Sequence, residues 1–241
     1  MKRQTLFVSD LHLSAARPDA VGCFLDFLGK RALGAAALYI LGDLFDAYIG
    51  DDDDRFPNRE IKLALRHLSD RGTRIYFQHG NRDFLLGEGF SLKAGVELLD
   101  DYAVIDLYGT LTLLTHGDLL CSDDLQYQAA RQRIRTAAWK RRALAKPLLA
   151  RKLYARWYRF KSGWDKSGKT AEIMDVNPAA VGETMERYGI SRLIHGHTHR
   201  PAVHDLVVRG RPAQRFVLAE WTDRGQVLAW HSKGYQIEAI G

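Results

Sequence analysis

"RIYFQHGNRDF", residues 74–84, runs as a short apolar strand and then breaks at once into His79, Gly80, Asn81, Arg82 and Asp83. Gly, Asn and Asp all accept tight turns, so the break taken alone is compatible with an ordinary loop. The same punctuation recurs along the chain. "TLFVSD" ends in Asp10, "ALYILGD" in Asp43, "LTLLTHGD" runs into His116, and "RLIHGH" carries His195 and His197. Between these runs, "AVGCFLDFLGKRAL" puts Phe24, Phe27 and Leu28 on one helical face, and "REIKLALRHLSDRG" is an amphipathic helix closed by Gly72. Strand, helix and strand at this spacing predict a parallel sheet. In open α/β sheets the ligand crevice lies outside the carboxyl ends of the strands, which is where each polar cluster falls.

The chain has 241 residues, 46% of them hydrophobic, which suits one domain over residues 1–241 that carries an insertion. The insertion reads as helical over about 123–169, in two stretches broken near Pro147. A helix, "NPAAVGETMERYG", follows it. Four alternating runs close the chain, "PAVHDLVV", "QRFVLAE", "QVLAWH" and "YQIEAI", and are expected to form an antiparallel meander. "DDDD" at 51–54 reads as a solvated loop. Two distant cysteines, Cys23 and Cys121, make no disulfide framework, and a reducing cytosolic compartment is expected. The first residues read as a strand rather than a leader, and no apolar run approaches the roughly 18 residues that span a bilayer.

Charge is unevenly placed. From Leu125 to Trp164 there are twelve Lys or Arg and no Asp or Glu, so the rest of a chain whose net charge is +6 is net acidic. The same run holds Trp139, Tyr154, Trp157, Tyr158, Phe160 and Trp164. Three readings fit it: a solvated helical hairpin with one buried face, a nucleic-acid surface of bases interleaved with aromatics, or a lid that grips a lipid and meets an anionic bilayer.

The strand ends together offer Asp10, His12, Asp43, Asn81, His116, His195 and His197. Carboxylate, imidazole and amide oxygen suit divalent Mn, Fe or Zn without any thiolate. Seven protein ligands exceed what one catalytic ion with open positions takes, whereas two ions sharing one carboxylate would use them all. The order "DLH", "GDLFD", "GNRD", "HGD", "HGHTH" is similar to the calcineurin-like metallophosphoesterases, whose motifs are D-x-H, G-D-x-x-D, G-N-H-[DE], a lone His-Gly and G-H-x-H. One motif departs, with Arg82 where His is usual. Arg82, the basic insert, "HGDLLCSDDLQYQ", "IMDVNP" and "LIHGHTHRPAVH" resemble the branch that acts on a nucleotide-sugar lipid in lipid A synthesis.

That resemblance implies an αββα sandwich with a helical lid insertion, two Mn²⁺ per chain, and hydrolysis of a pyrophosphate. Asp10, His12 and His197 would hold one ion, Asn81, His116 and His195 the other, and Asp43 would bridge. Asn81, Arg82, Asp124, Ser162, Lys166, Lys169 and His195 would bind substrate, with Asp43, Asn81 and Arg82 carrying the catalysis. It further implies a monomer on the cytoplasmic face of the inner membrane, meeting anionic lipid and no nucleic acid, with the lid as the third reading of the basic run. At position 82 a guanidinium can aim two parallel donors at a phosphate, which an imidazole cannot, but it cannot give up a proton at neutral pH. Asp83 is expected to hold Arg82, Gly80 to allow a sharp turn, and Asp118 and His199 to support the ligand histidines. Asp46 and His204 are expected to be local turn or sheet residues.

Overall fold

The computed structural model describes residues 4–167, 175–222 and 224–241, with side chains between 159 and 167 outside that description. Two sheets lie face to face. In the first, β1 (Thr5–Val8), β2 (Ala37–Leu41), β3 (Arg74–Gln78) and β4 (Glu97–Leu99) run parallel. β10 (Gly225–His231) and β11 (Gly234–Ile240) extend it antiparallel beyond β1. The second sheet has β5 (Ala103–Asp106), β6 (Leu111–Leu114), β7 (Arg192–His195), β9 (Arg211–Val217) and β8 (Ala202–Val208) in that order, with β6, β7 and β9 parallel.

The alternation of side chains along each strand builds the layers. Leu6, Val8, Leu38 and Ile40 point to the layer of α1 (Pro18–Gly29), α2 (Asn58–Asp70) and α3 (Glu88–Ala94), which adds Phe24, Phe27, Ile61, Leu65 and Phe90 to the same core. Phe7, Tyr39 and Leu41 point the other way, against Leu114, Ile194 and Phe216 of the second sheet. The outer face of that sheet places Leu113, Leu193 and Ala213 on Val181 and Met185 of α7 (Pro178–Tyr188). Strands covered on both faces read as continuous apolar runs, which is why "TLFV" and "ALYIL" show no polar alternation.

The last four strands are not one meander. β8–β9 and β10–β11 are separate hairpins, one in each sheet. The chain crosses between them at Trp221, which is buried against Phe24 and Phe27 with ring centroids 5.7 and 5.6 Å apart. Hairpin alternation is local, while the choice of sheet is made by this distant aromatic contact.

The basic run forms three helices, not two: α4 (Leu125–Ile134), α5 (Ala137–Leu144) and α6 (Leu148–Ser167). The additional break is capped by Thr136, whose hydroxyl accepts from Trp139 N at 3.3 Å. α4 is fastened to the acidic body. Arg131 places Nε 2.7 Å from Asp118 and Nη2 2.8 Å from Asp101, and Tyr127 donates to Asp118 at 2.5 Å. Arg135 donates to Gly80 O at 2.7 Å. On α6, buried Arg151 donates to Ile49 O at 2.6 Å and pairs with Asp52. The acidic stretch 51–54 is solvated only in part: Asp52 and Asp54 are exposed, but Asp53 is buried, and Lys62 Nζ reaches Asp51 O at 3.1 Å and Asp54 at 2.8 Å. Those acids neutralise two buried cations, Lys62 and Arg151.

Asp118 and Arg131 are both buried, and removing one partner of such a pair leaves an uncompensated charge. Asp118→Ala is expected to lower unfolding stability by about 3 kcal/mol, read as a fall in urea midpoint. An unchanged midpoint would show that Asp101 alone holds Arg131.

Candidate metal centre

Because β1, β2 and β3 are parallel neighbours and β6 and β7 face them from the second sheet, the loops after these strands converge. Asp43 sits between two groups, its Oδ2 3.9 Å from His12 Nδ1 and 3.9 Å from His116 Nε2. On one side, Asn81 Oδ1 lies 3.1 Å from His116 Nε2 and 3.1 Å from His197 Nδ1, and those two nitrogens are 3.2 Å apart. On the other, one ligand atom each of Asp10, His12 and His199 lie within 4.8 Å of one another, as do those of Asp10, Asp43 and His116.

These atoms face each other as acceptors face a cation. His116 Nδ1 donates to Leu41 O at 2.8 Å, which leaves Nε2 as a lone pair toward Asn81. His12 Nδ1 is buried and makes no hydrogen bond, and the buried Asp10 Oδ1 has only the His199 ring beside it, at 3.3 Å. Buried polar atoms normally find a partner, and a divalent ion is the partner that carboxylate, imidazole and amide oxygen share. The residues present thus fit a metal centre.

The backbone is bent to make the site. Asp10, His12, Asp43, His197 and His199 have φ of 54, 49, 54, 71 and 55°, a region that residues other than glycine rarely enter and that concentrates at functional sites. Gly80 is needed for space rather than for a left-handed turn: a Cβ there would overlap Asp43 Oδ1 and N. A Cβ at Gly196 would likewise overlap Asp10 Oδ2 and Ser9 Oγ.

Six of the seven expected ligands, Asp10, His12, Asp43, Asn81, His116 and His197, join one cluster. His195 is buried nearby, with Nδ1 donating to Gly196 O at 2.8 Å and Nε2 3.2 Å from Arg215 Nη1. The His197 ring lies with Asn81 and His116, while its backbone N–H donates to Asp10 Oδ2 at 2.8 Å. His199 takes the place beside Asp10 and His12, Nε2 3.3 Å from Asp10 Oδ1 and 3.2 Å from His12 Nε2, while Nδ1 meets Glu220 at 2.9 Å. Glu220, at the end of "QRFVLAE", has no sequence signal that separates it from a strand-end charge.

Several supporting roles differ from expectation. Asp83 does not hold Arg82; buried, it accepts from Gly80 N and Leu44 N, both at 2.8 Å, and ties the loop after β3 to the loop after β2. Arg82 Nη1 instead meets Asp46 at 2.5 Å, its Nε lies 3.6 Å from Asp43, and its N–H donates to Asp43 Oδ1 at 2.8 Å. Behind His116 and His195 stand carbonyls, and Asp118 clamps α4 instead. Asp124 caps α4, accepting from Tyr127 N at 3.1 Å. Ser162 and Lys166 fall on α6 where side chains are not described, and Lys169 lies outside the described residues.

Burial pushes the Asp43 carboxyl up to about 7, with Asp83 and Asp10 adding to the rise and His116 and Arg82 opposing it. For Asp10 burial is outweighed by the His199 hydrogen bond and nearby imidazoles, so its carboxyl falls below the usual range. Burial lowers His195 to about 4, with Arg215 assisting.

A model of the calcineurin-like phosphoesterase family matches residues 4–201. A UDP-2,3-diacylglucosamine hydrolase from Marinobacter nauticus is 50% identical over 219 residues, 91% of this chain and 90% of that protein. Proteins of the same name from Xanthomonas oryzae and Cellvibrio japonicus are 46% and 48% identical, covering 97% and 93% of this chain and 98% and 93% of their own. Among solved structures, an archaeal phosphodiesterase aligns with TM-score 0.49 at 11% identity, over 98% of this chain and 99% of its own.

Below pH 7 an ion must displace the proton that burial keeps on Asp43. The carboxylates of Asp43 and Asp10, outweighing burial, also hold the His116 ring above its usual range, so Mn²⁺ affinity is expected to tighten by about tenfold or more per pH unit as the pH rises toward 7. Calorimetric titration at pH 6, 7 and 8 reads this directly, and a flat profile would remove Asp43 from the coordination set.

Proposed function

The chain belongs to the calcineurin-like phosphoesterase family, and from that premise we propose that it hydrolyses the pyrophosphate bond of UDP-2,3-diacylglucosamine to UMP and 2,3-diacylglucosamine 1-phosphate. The observation that carries the substrate is similarity at 46–50% identity along nearly the whole length of relatives that bear that substrate in their names. The step belongs to lipid A synthesis.

Asp10, His12, Asp43, Asn81, His116, His195 and His197 would hold two Mn²⁺, with Asp43 between them. Bound there, the ions would supply an activated water and a clamp on phosphoryl oxygens. The chain supplies the rest. Arg82, anchored by Asp46 at the edge of the cluster, faces negative charge as it grows on phosphorus. It holds its proton throughout, so the leaving sugar phosphate departs with little protonation. Asp124, Ser162, Lys166, Lys169 and His195 are assigned to substrate binding with Asn81 and Arg82.

The lipid half has a matching surface. Leu149, Leu153 and Trp157 follow each other at helical spacing along α6 and are 68, 59 and 55% exposed. Among the described residues no helix is long and apolar enough to cross a membrane. We assign this stripe to acyl chains and to an anionic inner-membrane surface, with the protein working as a monomer on the cytoplasmic face. Arg131 and Arg151 are occupied by body carboxylates, and the outer bases, Arg133, Lys152 and Arg156 among them, remain exposed to such a surface.

Incubation with UDP-2,3-diacylglucosamine is expected to release UMP, with single-stranded DNA left intact; cleavage of DNA alone would replace the substrate class. Arg82→Ala should keep its metal by elemental analysis and lose on the order of 10²–10³ in kcat. A loss within a few-fold would reduce Arg82 to a partner of Asp46.

The paired change of Leu153 and Trp157 to Ser is expected to raise KM for the lipid substrate more than for a short soluble pyrophosphate, and to weaken sedimentation with anionic liposomes. Equal KM ratios would take the acyl chains away from α6.

A further inference from the structure

Near His195, β8, β9 and the loop before β8 border a cavity of about 240 Å³ that none of the expected ligand or substrate positions lines. Its place follows from register. His204 on β8 stands opposite Arg215 on β9, and Arg215 stands opposite Leu193 on β7, two residues before His195. With a side-chain period of two, His195, Arg215 and His204 share one face of the sheet. This is the face on which Leu193 and Ala213 pack, away from the inter-sheet core of Ile194 and Phe216. Arg215 joins the cavity to the metal centre through its 3.2 Å contact with His195 Nε2.

The cavity has the chemistry of an anion site. Arg215 is half-buried, and Asp175 and Arg200 stand on the same lining. Among the described residues no carboxylate lies within ion-pair distance of it, and its one hydrogen-bond partner is an imidazole. Arginines are rarely withdrawn from water unless paired, and a guanidinium fork matches the oxygens of a phosphate. Thr198 Oγ1 is buried on the same wall without a hydrogen bond, and His204 is a further polar group there. Asp175, the nearest acid, is engaged by Arg200. Cavities for drug-sized ligands run to about 300–1,000 Å³. The present one is smaller and suits one sugar with its phosphate.

We infer that this cavity is a sugar-phosphate subsite of the active site, in which Arg215 grips the phosphate and Thr198 and His204 bond the sugar hydroxyls. The inference rests on the substrate proposed above, which contains two such groups: the ribose phosphate of its UMP half and the glucosamine 1-phosphate of its lipid half. Their shared chemistry is what the cavity recognises.

The test is equilibrium binding, so it reads the subsite without turnover. The full chain in Mn²⁺ buffer is titrated with UMP and with glucosamine 1-phosphate, alongside Arg215→Ala and Ala202→Trp. The first variant removes the cation. The second fills the cavity from its lining while leaving Arg215 and His195 in place. Both variants should keep the parent's circular dichroism and metal content, and both should weaken one of the two ligands by on the order of tenfold, the loss expected for a charge-assisted contact. Weakening of UMP places the nucleotide half in the cavity, and weakening of glucosamine 1-phosphate places the lipid half there. If neither sugar phosphate binds the parent, or if Ala202→Trp binds both as the parent does, the subsite is overturned. A parent that binds a sugar phosphate through Arg215 yet releases no UMP from UDP-2,3-diacylglucosamine would overturn the proposed substrate and leave the subsite standing.

Discussion

The loops after β2 and β3 touch without room for a methyl group between them, and much of the site depends on that contact. Gly80 presses on the carboxylate and amide of Asp43. Asp43 Oδ1 then accepts from Arg82 N, while Asp83 accepts from Gly80 N and Leu44 N and stitches the same two loops from below. Two carboxylates end up fully buried within one small volume, and their desolvation is why both are pushed toward the protonated form in the metal-free chain. A site so arranged is unfavourable for its own sake. Left-handed φ values at five non-glycine residues add to that cost. Such a cluster persists because the two sheets beneath it are continuous apolar layers, and because a divalent ion relieves the electrostatic part of it.

Charge asymmetry has a second, internal use. The basic helices are not simply laid over an acidic surface. Arg131 enters the body to meet Asp118 and Asp101, Arg151 meets Asp52, and Arg135 reaches the carbonyl of Gly80 itself. The last contact links the insert to the residue on which the metal loops turn. Movement of α4 would therefore be felt at Asp43 through one hydrogen bond and one close backbone contact. Rings extend the link outward, since Arg135 lies over Phe84, 5.4 Å from its centroid, and Phe84 lies 5.9 Å from Trp139 of α5.

What could be read in the sequence is what is encoded locally. Strand ends carrying Asp10, Asp43, Asn81, His116 and His197 are short motifs whose chemistry stands out from their neighbours. The parallel order β1 to β3 follows from alternating strand and helix periods. Pairings between distant residues carry no such mark. Asp46 and Asp83 lie three residues after Asp43 and two after Asn81, and nothing local says that the nearer acid ties backbone while the farther one holds Arg82. Four terminal strands alternate alike, yet Trp221 divides them between sheets. "DDDD" reads as solvent until Lys62 and Arg151 are placed beside it. Arg215 is one base among many until register sets it next to His195.

Arginine in place of histidine in the third motif follows from reach and charge. Asp43 and Asp46 lie on one turn after β2, and a guanidinium from the loop after β3 spans both, with Nη1 on Asp46 and Nε toward Asp43. An imidazole, shorter and with two nitrogens on one ring, could meet one of them at a time. The formal charges are then balanced. Arg82 and Asp46 cancel, Asp10 and Asp43 offset two of the four positive charges of the two proposed ions, and two remain. A pyrophosphate diester carries two negative charges, so a site holding two such ions would be near neutral with substrate seated. Each phosphate released carries additional charge as it ionises, which the same site would not balance twice over. Such an arrangement would hold the intact pyrophosphate better than the pair of products, and that difference would favour product release.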